Sequence, residues 1–389
     1  MTVGVHGARM ALLQMRRKTY KDKFDIKRAL VLLLMITVLG FFYCSDGSKE
    51  KQDYATASVI SISKAEAGAM VTDVKLRIQS GPLEGQIHKA PIMVDSSSSY
   101  SMELKKGDQV VVVSENIGGE WKIGIDEHYR TPKLIFLLIV VSLLLILIGR
   151  WQGILSFLAL ASTIILVFGG LTRLLLASYP PVPMAIAFSA LITLLTLTLI
   201  GGLSQKTAIA TLGTVGGASM AGLLGYLSAE TMHLSGVTGH EALFLRSMSS
   251  SLDFRGLLLC AIIVGALGAV MDVCMSLATS LEEISRASKS TNFKSLFSSG
   301  MKMGSDLLGT MTNTLVLAYT GSSLTLILLL SAQKDDFPLI RLINMEFITV
   351  EIVRSLAGLF GMACAIPISA AIGVFLYSKR KRRPKRLGE

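Results

Sequence analysis

Eight apolar runs punctuate the chain, at Ala29–Cys44, Leu134–Gly149, Gly153–Leu171, Met184–Leu203, Thr207–Ser228, Gly256–Ala278, Ser305–Leu330 and Leu356–Tyr377. A helix that crosses a bilayer needs about 20 such residues. The first two runs are short on a strict apolar count and recruit flanking residues. Only Arg150-Trp151-Gln152 separates the second run from the third, which predicts a tight helical hairpin with an interfacial tryptophan. Tyr179-Pro180-Pro181-Val182-Pro183 precedes the fourth run, and no helix crosses such a segment unbroken.

The texture changes between the first two runs. Tyr54–Ile62, Met70–Ile78, Gln86–Val94, Gln109–Val113 and Trp121–Ile125 are short β-branched stretches that predict strands. Gly81–Gly85 and Lys106–Asp108 supply turns between some of them. Five short strands over about 75 residues suit a small OB-like β-barrel. Few aromatics are present to stack on nucleotides or sugars, so an assembly or lid role is expected of it. The expected fold is a mostly α membrane protein with eight transmembrane helices and an OB-like domain outside the membrane. Residues 1–28 form a cytoplasmic basic N-terminus, 29–44 an uncleaved anchor and 45–133 the β-domain. Residues 134–377 form a seven-helix membrane domain, and 378–389 a cytoplasmic basic tail.

Composition agrees: of 389 residues 51% are hydrophobic and 17% charged, where soluble domains carry roughly 25% charge. The net charge of +11 does not indicate nucleic acid, because the basic residues crowd the two termini beside apolar runs. There they act as headgroup and orientation signals, and the partner they imply is the lipid bilayer. With the N-terminus inside, the inner segments carry 21 Lys/Arg and the short outer loops carry 6. That bias orients both termini to the cytoplasm.

The cysteines, Cys44, Cys260, Cys274 and Cys364, all lie in apolar stretches with no CxxC, which supports neither a disulfide framework nor a zinc site. Cys44 follows Phe41-Phe42-Tyr43, where lipoprotein processing requires small residues. No cofactor is expected, and the sequence leaves a metal site undetermined.

Several stretches resemble the YibE/F family of bacterial membrane proteins. They are Gly265–Ser276, Gly304–Gly321 and Asn344–Arg354, within a resemblance covering roughly Ala55 to Tyr377. The β-domain makes the chain similar to the longer, YibE-like type. The resemblance implies a multi-pass protein of the bacterial cell membrane; a homo-oligomer or a pairing with a related family member is compatible with it, and the sequence does not determine the oligomeric state. It implies no particular activity, so function rests on the residues.

Asp272 lies deep in an apolar run, where a carboxylate costs roughly 2.5–3.5 kcal/mol and therefore faces a partner or water. Gly268, Asp272 and Ser276 share one helix face, as do Asp306, Thr310 and Asn313 on the next run. Asp272 and Asn313 are each about seven or eight residues from the inner end of their run, so both sit ~10–12 Å deep. Asp272, Ser276, Asp306, Thr310 and Asn313 thus make a candidate site for an ion, proton or substrate. The bland alternative stays open: Asp272 and Asn313 as packing glue between helices, and Asp306 as a helix cap. Asn344, Glu346, Glu351 and Arg354 lie in an elbow at Phe337–Arg354 and form a candidate outer gate, with Glu351 and Arg354 spaced to pair locally. His240-Glu241 lacks the second histidine of a zincin motif.

Gly213, Gly217, Ala221 and Gly225 recur every four residues, as do Ala357, Gly361, Ala365, Ser369 and Gly373. No Gly-Lys-Ser/Thr follows either series, so these are expected to be helix-packing faces, with Ile366 turned to lipid. Pro367 permits a kink. The expected function is a permease or channel for a small solute or ion, not an enzyme. The alternative is a non-transporting assembly or sensor subunit whose β-domain binds a partner.

Overall fold

The computed structural model describes residues 53–63, 71–93, 102, 104–117, 120–249, 251–287, 293–333 and 337–381. The expected basic N-terminus, the anchor at 29–44 and tail residues 382–389 lie outside them.

Five strands alternate buried and solvent-facing side chains, the period that folds a two-faced sheet. They are β1 (Asp53–Ile62), β2 (Val71–Ile78), β3 (Ile87–Met93), β4 (Gln109–Ile117) and β5 (Glu120–His128). Ala55, Ala57 and Val59 of β1 pack with Val74, Leu76 and Ile78 of β2 and with Val110 and Val112 of β4. The strands run antiparallel in the order β3-β2-β1-β4-β5. Register shifts at Val59/Ser61 and Val111/Val112 bend β1 and β4. The edge strands β3 and β5 approach to Cα separations within 8 Å. No ladder joins β3 to β5 among the described residues, so the sheet is a half-barrel.

The helices are α1 (Thr131–Gly149), α2 (Trp151–Leu176), α3 (Pro181–Gly201), α4 (Gln205–Thr231), α5 (His240–Met248), α6 (Phe254–Ala287), α7 (Phe293–Ser322), α8 (Leu324–Ala332), α9 (Leu339–Ile343) and α10 (Glu346–Lys381). Among the described residues α1, α2, α3, α4, α6 and α10 are each long and apolar enough to cross a membrane. The α7–α8 pair, bent by 64°, passes the same test as a unit. The eighth expected span falls on Ala29–Cys44. The sheet and α1 belong to one compact unit, and α2 to α10 to another. No residue of α1 is buried, as suits a helix whose one polar residue between Leu134 and Ile148 is Ser142.

Within the helical unit, α3 enters through Pro180 and Pro181, with Pro181 at the first turn where its missing N–H costs nothing. Gln152 Nε2 donates to the Ile200 carbonyl at 2.8 Å and ties α2 to α3. A π-helical turn at Leu166–Leu171 interrupts α2. The core lies where α4, α6, α7 and α10 meet, around Val270, Val273, Cys274, Leu277, Ala357 and Ala365. The small residues of α4 and α10 face one another across it, as their spacing predicts. A β-carbon added at Gly222 would stand 2.7 Å from Ile263, and one at Gly373 2.8 Å from Leu281. Ser369 Oγ donates to Cys274 Sγ at 3.3 Å within this buried contact.

Three expectations need correction. The last span starts at Glu346, not Leu356, because a helix continues through polar residues whose side chains find partners. Ile366 is buried, not lipid-facing: a β-carbon at Gly304 of α7 would collide with it. The run at Ser305–Leu330 is not one straight helix but breaks at Ser322-Ser323. By contrast, α10 runs without interruption through Pro367.

Candidate functional site

Two contacts fix how α6 and α7 lie beside each other. Near one end Gly300 packs on Leu281, and near the other Tyr319 Oη stands 3.0 Å from where a Gly265 β-carbon would be. At ~1.5 Å per residue, Asp272 then lies level with the Thr310–Asn313 turn. The side chains are nevertheless not joined. Asp272, Asp306, Thr310 and Asn313 are exposed and Ser276 is half-buried. Thr310 Oγ1 donates to its own helix at the Leu307 carbonyl, 3.0 Å away. Among the described residues no hydrogen bond or ion pair links any of the five to another. A β-carbon at Gly268 or Gly309 would meet nothing within 4 Å, so both helices are open along these faces.

The outer candidates divide into separate groups. Glu346, in the first turn of α10, accepts hydrogen bonds from the Ser235 amide at 2.6 Å, the Ser235 hydroxyl at 2.8 Å and the Gly236 amide at 3.0 Å. It secures the loop that follows α4. Asn344 Nδ2 donates to the Ile340 carbonyl at 2.7 Å and closes α9. Glu346 and Asn344 border a cavity of about 670 Å³ with Ser228, His233 and Thr349. Glu351 and Arg354 form the local ion pair that their spacing predicts, at 2.6 Å.

That pair sits against the break in the seventh run. Ser323, the residue between α7 and α8, donates its hydroxyl to Glu351 Oε2 at 3.3 Å. A cavity of about 350 Å³ opens there, lined by Tyr319, Thr320, Ser323, Glu351 and Ser355 among apolar side chains. Tyr319 Oη and Arg354 Nε are buried with no hydrogen-bond partner among the described residues. Tyr319 and Ser323 were not singled out from the sequence. The signal that marks them is Thr320-Gly321-Ser322-Ser323, four poor helix formers inside an otherwise apolar run.

His240 and Glu241 open the short helix α5. Among the described residues no three His, Cys, Asp or Glu side chains gather as a metal site would require.

A protein-family model described as YibE/F-like protein matches residues 137–379. Neither a curated protein nor a solved structure matches the chain.

Proposed function

This chain belongs to the YibE/F family, and from that premise we propose that it is a multi-pass permease or channel for a small solute or ion. The observation that carries the proposal is the 64° break at Ser322-Ser323, placed against Glu351 and Arg354 beside a cavity. Non-helical backbone at membrane depth is tolerated where protein buries it or where it lines a hydrated cavity. Discontinuous helices build substrate sites in transporters for that reason. Glu351, Arg354, Tyr319 and Ser323 form the gate in this proposal. Asp272, Ser276 and Thr310 provide the polar path along α6 and α7. Both termini are cytoplasmic, the membrane is the bacterial cell membrane, and the β-domain is outside. The strand order and the approach of β3 to β5 fit an OB-like barrel. No catalytic step is involved.

Ion and proton flux in proteoliposomes tests this, alongside thermal stability in detergent. Asp272→Asn keeps size and hydrogen bonding but removes the charge, so Tm is expected unchanged or raised while flux falls at least tenfold. Wild-type flux in the folded variant rejects the site. An absence of flux in the unaltered protein favours a non-transporting assembly or sensor subunit, a reading supported by the separate compact unit of the β-domain.

A further inference from the structure

The helix α7 has its polarity reversed for a helix at the edge of a membrane bundle. Its contacts with the core use apolar and small residues, Leu296, Gly300, Gly304 and Leu315. Its opposite face carries Lys302, Asp306, Gly309 and Asn313, which recur at helical spacing and are all exposed. The Gly300 contact with Leu281 lies just past the end of the apolar run of α6. From that level, Asp306 stands ~9 Å and Asn313 ~20 Å farther along the helix, inside the apolar zone. Lipid cannot satisfy a carboxylate and an amide there.

The polar face therefore needs protein or water, and its chemistry selects among the candidates. The chain's remaining unplaced apolar segments offer little: Leu134–Ile148 has Ser142 as its polar residue, and Ala29–Cys44 has Thr37 and Tyr43. Neither supplies a charge to answer Lys302 or Asp306. A second copy of the same face does. We infer that the Lys302–Asn313 face of α7 is the interface of a homodimer, with the two-fold axis along the membrane normal.

The face is self-complementary. Lys302 and Asp306 are one turn apart, and among the described residues neither forms an ion pair within its own chain. Related by a two-fold axis, Lys302 of each copy reaches Asp306 of the other, giving two reciprocal pairs. Asn313 carries both a donor and an acceptor, so two copies meeting at the axis satisfy each other. Gly309, with open space at its Cα, lets the two backbones approach closely between these levels. An isologous contact requires this kind of pattern, the same patch completing itself. The inference does not depend on transport, because its test reads no flux.

The test is oxidative cross-linking of the full-length chain in native membranes. Asn313→Cys is expected to give a disulfide-linked dimer at least tenfold more abundant than Leu212→Cys, which lies on the exposed side of α4 and shares the same native cysteines. In the Asn313→Cys background, Lys302→Asp or Asp306→Lys is expected to lower the dimer fraction, and the two together to restore it. Equal cross-linking at Asn313 and Leu212 overturns the inference, as does cross-linking of Asn313 to a different protein. Failure of the paired exchange to restore the dimer, in protein that is still inserted and monodisperse, overturns the Lys302–Asp306 contact. If a single charge variant fails to fold, the Asn313 and Leu212 comparison still decides the interface.

Discussion

Gly217 of α4 and Gly361 of α10 pass so closely that neither has room for a side chain. A β-carbon on Gly217 would lie 2.8 Å from the Gly361 carbonyl oxygen and 2.6 Å from Ala365 Cβ. One on Gly361 would lie 2.6 Å from the Gly217 carbonyl oxygen. Backbone stands on both sides of the contact, so no rotamer change relieves the clash. Without a hydrophobic driving force between helices in lipid, such close approach is what holds them together.

Gly217→Ala and Gly361→Ala are each expected to destabilise the protein by about 1–3 kcal/mol, the usual cost of overpacking. Thermal unfolding in detergent measures it. Leu212→Ile, at a position that is 54% exposed on the same helix, should leave Tm unchanged. Equal tolerance at all three positions would remove the close-packing account.

Glu346 should matter for a reason unrelated to the gate. Its carboxylate holds two backbone amides and a hydroxyl of the loop after α4, and hydrogen bonds to a charged acceptor are worth about 1.5–3 kcal/mol where water is excluded. This loop is partly wet, so the lower end applies. Glu346→Ala is expected to speed hydrogen exchange of the Ser235 and Gly236 amides, with little change in the α4–α10 core. Unchanged exchange at both amides would show that the loop holds itself.

In the β-domain, Gly85 separates backbone strain from crowding. It has φ +82° and nothing within 4 Å of an added β-carbon. A side chain there meets no neighbour, so Gly85→Ala should cost roughly 1–2 kcal/mol from the left-handed backbone alone. Gly85→Asn should cost less, because asparagine enters that region more readily. Proteolytic susceptibility of the domain in the intact protein ranks the variants, and the order asparagine below alanine is the expected one.

The proposed orientation predicts labelling by an impermeant thiol reagent in intact cells at Ser97→Cys but not at Lys385→Cys. The reverse pattern would invert the whole membrane assignment.

Much of the architecture follows from the chain alone. The order of the apolar segments among the described residues, the five strands with turns at Gly81–Gly85 and Gly107, and the small-residue faces of α4 and α10 all depend on short-range periodicity. So does the Glu351–Arg354 pair, whose members are one turn apart. What sequence could not supply is direction. Periodicity shows that Ile366 shares a helix with Gly361, but Ile366 is buried because α7 brings Gly304 against it. It shows Asp272 and Asn313 at similar depth, but not that both open outward without touching. It leaves the target of Glu346 unknown, since Ser235 is 111 residues away in the chain. The break at Ser322-Ser323 leaves Ser323 beside Glu351 through the packing of α7 against α10. A helical repeat specifies which residues share a face; which neighbour that face meets is decided when distant helices pack, and no local pattern encodes it.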